Sequence, residues 1–419
     1  MELEPEYNII GKTLVITDLH IGLKKSNVSR LSIIVKVFKR LFAEIKKNQI
    51  KNVICCGDVF HSRVTLDLQV INVAIKLMTA LASKTKVYLI IGNHDIYYKN
   101  TINVNSTNIF RETKNIVIIE QPTIVSLNGK SALFVPWHSD LTKYQENTFD
   151  FLFGHFDIDA KYLIASYIEE HSAKTATSDS LLEILNSDDM LQSESFSVIT
   201  SETLNSEVSE ILSTKKKSND LVGSFVKLAK ENTGVVFSGH IHQRKEFIAN
   251  KRKFIFVGSP YQQNFGEMDS VDGFYTMFED GTYKFTEITD VPKHIKIRIS
   301  SVLKTGVDNF DFSIVAGNII KKIYDKDIDR ETEWKINQKI ADFSPFEEAL
   351  PDYEVSITSD DGEITNESLE LIKKSKLDYI KNYIDNVDES VLKENNLEKT
   401  RLFELLEHYY NKAVENIEI

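Results

Sequence analysis

The sequence predicts an α/β fold in which strands buried in a sheet are covered by helices, and three observations carry that prediction. Short apolar runs rich in Val, Ile and Phe alternate with longer amphipathic stretches. Two of those stretches, 31–47 and 66–83, separate the first three runs and give the order β-α-β-α-β. The composition, 42% hydrophobic and 27% charged with 24 Phe and 16 Tyr, supplies cores for a globular chain and excludes wholesale disorder or collagen-like sequence.

Taken in order, strands are expected at 13–17, 52–56, 86–91, 116–119, 131–135, 150–153, 235–237 and 253–257. Between the first two, Leu31, Ile34, Val35, Phe38, Leu41, Phe42 and Ile45 recur three and four apart with lysines opposite, which makes 31–47 a surface helix. From 160 to 219 the texture turns to Ser, Thr, Asp and Glu with almost no aromatics, a solvated acidic insertion. A helix over 219–231 follows. Pro292 marks a boundary, after which HIKIRIS (294–300) and DYEVSI (352–357) alternate like strands of a small separate module. Two helical stretches lie beyond 366, the second with Leu402, Leu405, Leu406, Tyr409 and Ala413 on one face. A length of 419 residues favours two or three domains, divided here as 1–290, 291–360 and 361–419.

No apolar run approaches the ~20 residues that a bilayer crossing needs, and the start, MELEPEYNII, is acidic where a secretory signal would be basic, so no membrane contact and a cytoplasmic location are expected. The two cysteines, Cys55 and Cys56, are neighbours pointing to opposite faces of a strand, which excludes a disulfide framework or a metal knuckle. The net charge of -12 argues against indiscriminate nucleic-acid binding, yet residues 1–150 hold 19 Lys and Arg against 13 Asp and Glu. That first segment can serve a phosphate-rich substrate.

Five strand ends are each followed at once by metal-ligand residue types. ITDLHIG brings Asp18 and His20, CCGDVFHSR brings Asp58 and His61, and IIGNHDIY brings Asn93, His94 and Asp95. FLFGHFD brings His155, and FSGHIHQR brings His240 and His242. Carboxyl ends of strands share an edge, so residues far apart in sequence reach one crevice. The glycines at 57, 92, 154 and 239 are expected where the chain turns sharply off a strand. Two divalent cations about 3.5–4 Å apart need a bridging carboxylate and further N or O ligands to clamp a phosphate and make hydroxide from water near neutral pH. With Asp18 and Asp58 the only carboxylates among the ligands, the pair keeps roughly +2, which suits a phosphodiester. Each motif alone is weak, but five in this order are not coincidence. His138, His171, His294 and His408 lack such context and read as ordinary.

The set DxH, GDxxH, GNHD, GH and GHxH resembles that of the calcineurin-like metallophosphoesterases. Within that superfamily DLHIG, GDVFHSR and GHIH, followed by VGSPYQQNFGE (257–267), look like the DNA-repair nuclease subunit of the SbcCD type. The pattern YIKNYIDNV, a loop, then LFELLEHYYNKA is similar to the tail of T-even phage recombination endonuclease subunits. The resemblance implies a two-sheet sandwich flanked by helices, with a small α+β capping domain and a C-terminal helical pair. It implies Asp18, His20, Asp58 and His242 on one metal, and Asp58 (bridging), Asn93, His155 and His240 on the other, with Mn²⁺ as the working ion. His94, oriented by Asp95, would protonate the leaving oxygen, and His61 would stabilise the phosphorane-like charge.

The function so implied is a metal-dependent DNA phosphodiesterase, exonuclease or endonuclease, in an SbcCD-like complex that processes DNA ends in recombination and repair. No Walker P-loop of the form GxxxxGK followed by Ser or Thr is present, so ATP hydrolysis would have to come from a partner, which the resemblance implies is an SMC-like coiled-coil ATPase of the SbcC type. Residues 361–419 would dock on it and 291–360 would steer DNA; the resemblance also implies a homodimer and, for a phage-encoded chain, the host cytoplasm. Lys24, Lys25, Arg30, Arg63, Arg244 and Lys245 lie near motif loops as candidate phosphate-backbone contacts. The alternative is a small-molecule or cyclic-nucleotide metallophosphodiesterase, which would have little use for the extra module and helices.

Overall fold

The computed structural model describes residues 4–24, 28–98, 101–156, 233–249, 252–353, 399–401 and 403. The expected insertion, the helix at 219–231 and, but for 399–401 and 403, the C-terminal helical pair lie outside them. The chain forms two compact units. One comprises Met1–Lys296, Phe312–Ile320 and Ile340–Glu348, the other Ile297–Asp311, Lys321–Lys339 and Ala349–Ile419.

The main strands of the first unit are, in chain order, β1 (Tyr7–Ile9), β2 (Thr13–Ile16), β3 (Asn52–Cys55), β4 (Lys86–Ile90), β5 (Ile116–Ile119), β6 (Thr123–Leu127), β7 (Lys130–Val135), β8 (Phe149–His155), β9 (Thr233–Gly239), β10 (Lys245–Ala249), β11 (Arg252–Phe256), β12 (Gly273–Met277) and β13 (Tyr283–Glu287). They form two sheets, β13-β12-β2-β3-β4-β5 and β1-β6-β7-β8-β9-β11-β10. β2 to β5 run parallel, as do β7, β8, β9 and β11. Helices α1 (Val28–Asn48) and α2 (Leu68–Ala82) make the crossovers after β2 and β3. The architecture is the two-sheet α/β sandwich that the sequence leads one to expect.

β2 and β3 read as unbroken apolar runs because both of their faces are buried. Leu14, Ile16, Val53 and Cys55 face the layer that holds α1 and α2. Val15, Ile54 and Cys56 face the core between the sheets, with Phe134, Phe153 and Phe237. Both thiols are fully buried on opposite faces, and burial pushes them well above the usual thiol range. On α1 the expected face is buried at Leu31, Ile34, Phe38, Leu41 and Ile45, with Ile33 and Val37 also wholly inside and Val35 and Phe42 half-buried at its edge.

Strands β1, β6, β10, β12 and β13 go beyond the apolar runs of the sequence, because each is short or interrupted by polar residues. HIKIRIS is strand only over His294–Arg298; Ile299–Thr305 is helical, its turn held by Asp325, whose carboxylate accepts the Ser300 N–H at 2.8 Å. Of DYEVSI, Asp352–Tyr353 pairs parallel with Ile323–Tyr324, and the rest lies outside the described residues. Among the described residues no helix is long and apolar enough to cross a membrane.

Candidate metal centre

Asp18 and His20 follow β2, Asp58 and His61 follow β3, and Asn93 to Asp95 follow β4, all from one sheet; His155 ends β8 and His240 follows β9 in the other. The loops after β2 and β3 are laced together: Asp18, His20 and Ile21 donate their N–H groups to the carbonyls of Gly57, Asp58 and Val59 at 3.1, 3.1 and 2.9 Å. This lacing holds unusual backbone. Asp18, His20, Asp58 and His240 have φ of 50°, 40°, 55° and 82°, left-handed conformations that cost a non-glycine residue about 1–3 kcal/mol each. Among the described residues, four of the ten non-glycine residues with left-handed backbone are ligand types at this place, strain of the kind that functional sites hold.

The glycines act partly as expected. Gly57 has φ 103° and needs to be glycine for its conformation. Gly92 and Gly239 are needed for space instead: a Cβ on Gly92 would stand 2.2 Å from Asp58 Oδ1, and one on Gly239 2.1 Å from Thr17 Oγ1.

The side chains converge on two adjoining places that share Asp58. Its Oδ2 lies 3.4 Å from His20 Nε2 and 3.3 Å from His155 Nε2. On one side Asp18 Oδ1 lies 3.6 Å from His20 Nε2 and 3.8 Å from His242 Nε2, and those two nitrogens are 3.1 Å apart. On the other, Asn93 Oδ1 lies 2.8 Å from His155 Nε2 and 3.3 Å from His240 Nδ1.

These contacts leave lone pairs that a cation would satisfy. Asp18 Oδ1 is buried with no hydrogen-bond partner. His155 Nδ1 donates to the Cys56 carbonyl at 2.7 Å, so in the neutral ring Nε2 is a lone pair facing the oxygen of Asn93. Turned over, the Asn93 amide would donate to His155 and Asp58 and accept from Arg63 Nη2 at 2.7 Å; with its oxygen inward it joins a ring of lone pairs that only positive charge reconciles. Among the described residues, three sets of ligand atoms lie within 4.8 Å of one another: His20, His61 and His94; Asp18, His20 and His242; Asp18, Asp58 and His155.

The electrostatics point the same way. Burial would raise Asp58, but His155, His20 and His94 hold it well below the carboxylate range. Burial would lower His155, yet the charge and hydrogen bond of Asp58 lift it to about 9. His242 also reaches about 9 against its burial, through the hydrogen bond to Glu267 and the charge of Asp18. The carboxylates draw protons onto buried imidazoles, and a divalent ion answers the same field. His61 goes the other way: burial first, then His20 and His94, push it down to about 4, so it is a neutral ring near pH 7.

Asp95 does not orient His94. Its carboxylate accepts N–H groups from Asp58 (2.9 Å), Val59 (2.9 Å), Phe60 (3.3 Å) and Gly92 (3.0 Å), tying the second motif loop to the third. The ring of His94 is instead held by the His61 carbonyl, 2.6 Å from Nδ1. A carbonyl only accepts, so Nδ1 carries the proton and Nε2 is left to exchange one.

Among the proposed phosphate contacts, Arg30 is buried in α1 and forks onto Glu347, Nε and Nη2 at 2.7 and 2.8 Å, with His294 Nε2 at 3.4 Å from Nη1. Arg244 bonds Tyr275 Oη at 2.8 Å and Glu246, and its guanidinium lies 4.3 Å over the Phe285 ring. Both are structural rather than substrate-facing. Lys25 lies outside the described residues. Sequence reasoning missed Glu267, 2.9 Å from His242 Nδ1, and Trp137, whose ring is 5.2 Å from that of His240 and 5.8 Å from that of His155. Glu267 falls in the quoted VGSPYQQNFGE, but nothing in its spacing gives it a role.

Residues 11–244 match the family model described as calcineurin-like phosphoesterase. Exonuclease subunit 1 of Enterobacteria phage T4 is 24% identical over 325 residues, 76% of this chain and 78% of that protein. A solved structure described as a novel archaeal phosphodiesterase aligns with 66% of this chain and 99% of its own at 11% identity and a TM-score of 0.29.

Proposed function

The chain belongs to the calcineurin-like phosphoesterase family, whose members are metal-dependent hydrolases, and we propose that within it this protein is the DNA-cleaving subunit of an SbcCD-like nuclease and ATPase complex. One relationship carries the reading: Asp58 Oδ2 lies within 3.4 Å of imidazoles on both sides, where a carboxylate shared by two ions belongs. Asp18, His20, Asp58 and His242 would hold one ion, and Asp58, Asn93, His155 and His240 the other. Mn²⁺ is the ion we assign. The pair would supply charge for the phosphate and hydroxide near neutral pH.

The remaining work falls to the chain. His94, with Nδ1 committed to the His61 carbonyl, offers Nε2 to the leaving oxygen. His61, as a neutral ring, contributes a hydrogen bond rather than a charge to the reacting phosphate. Asp95 fixes the loops that present Asp58.

Support for a DNA substrate and for a multi-subunit assembly comes from the phage relative, by name an exonuclease subunit, and from the basic balance of residues 1–150. An ATPase of the SbcC type is the partner we assign, with 361–419 as its docking region and 291–360 as the capping module. Pairing of two copies belongs to the same assignment. Action in recombination and repair, in the cytoplasm, completes the reading.

The test is an assay of bis(p-nitrophenyl) phosphate and linear duplex DNA with and without Mn²⁺. Mn²⁺-dependent cleavage of both is expected. Hydrolysis of the small diester alone would move the assignment to a small-molecule or cyclic-nucleotide phosphodiesterase.

A further inference from the structure

Beside the centre, on the side of His61 and His94, lies a cleft of about 690 Å³. The imidazoles of His20, His61, His94 and His242 are part of its lining. Its walls come from the stretches 21–24 and 61–67, from the start of α2, and from Gln263 and Asn264. Those walls are close to neutral. Leu23, Leu66 and Val70 supply apolar surface, Ser62 and Thr65 supply hydroxyls, and Lys24 and Asp67 contribute one charge of each sign.

That lining selects a kind of ligand. A phosphate would require a clear excess of cations or converging backbone N–H groups, and the Asp67 carboxylate opposes it. A heterocycle with its sugar requires apolar faces and a few hydrogen-bonding groups, in a volume of about 300–1,000 Å³.

The position of the cleft decides which half of a diester it meets. Hydrolysis adds water across a P–O bond: the oxygen of water bonds to phosphorus, the bond to the leaving oxygen breaks, and that oxygen takes up a proton. His94 is the group placed to give the proton, and His94 lines the cleft. We propose, on the phosphodiesterase reading above, that this cleft seats the nucleoside attached to the leaving oxygen of the scissile phosphate.

Thr65 is exposed on its loop and Ser62 is half-buried, its hydroxyl accepting the Thr65 N–H at 3.2 Å, so enlargement at either stays on the loop and away from the core. Thr65→Trp and Ser62→Trp, in the full Mn²⁺-loaded chain, are compared with the parent on the dinucleotide dTpdT and on bis(p-nitrophenyl) phosphate, which carries no nucleoside. The ratio of kcat/KM for dTpdT to that for the small diester is expected to fall about tenfold or more in both variants. Saturation-transfer NMR with deoxyadenosine and Mg²⁺-loaded protein is expected to show transfer from the parent that both variants lose. An unchanged ratio in both, or transfer unaltered by either, overturns the cleft assignment and leaves the phosphodiesterase reading standing. Failure of the parent to cleave either diester overturns that reading instead, and the NMR result then decides the cleft by itself.

Discussion

Nδ1 of His242 donates to Oε1 of Glu267 across 2.9 Å, which fixes the ring with Nε2 turned toward Asp18. Glu267 is itself held by the Gln263 N–H and the Asn264 side-chain amide, both at 2.6 Å. A carboxylate behind a ligating imidazole sets its tautomer and raises its basicity. Glu267→Gln preserves size but removes that charge, and metal affinity is expected to fall by about 10- to 100-fold, read by competition with a chromogenic chelator.

The four N–H groups that converge on Asp95 make it a structural staple. Asp95→Ala leaves buried donors unpaired and is expected to cost about 2 kcal/mol or more, with weakened metal binding as the Asp58 loop relaxes. Thermal melts of the metal-free chain check this; a role confined to orienting His94 would leave the melting temperature unchanged and alter only the rate.

Protons and metal compete for the same imidazoles. His155 and His242 sit near 9 in the folded chain against an ordinary 6.5. A folded value above the unfolded one stabilises fully below about pH 6.5, and that contribution is lost as pH rises through 9. The metal-free chain is therefore expected to melt at falling temperature from pH 6.5 to 9. Affinity for Mn²⁺ should rise over the same window as the protons leave. Melting curves in EDTA and in excess Mn²⁺, taken at several pH values, separate the two trends.

Legibility in the sequence followed burial and periodicity. β2, β3 and β4 could be read because strands covered on both faces are nearly continuous apolar runs, and the ligand types follow them at once. The five motif loops do come together, although from two sheets. What could not be read depends on distant partners. Arg30 looks like a surface cation near a motif until Glu347, 317 positions away, takes its guanidinium. Glu267 acquires meaning only when its loop folds back on His242. The left-handed backbone of Asp18, His20, Asp58 and His240 left no trace because none of them is glycine.

The most direct measurement is manganese content per chain, set beside Mn²⁺-dependent cleavage of linear duplex DNA, for the parent, Asp58→Ala and His94→Ala. The account predicts about two ions in the parent and in His94→Ala, less than one in Asp58→Ala, and cleavage by the parent alone. Two ions retained by Asp58→Ala together with undiminished cleavage would contradict it.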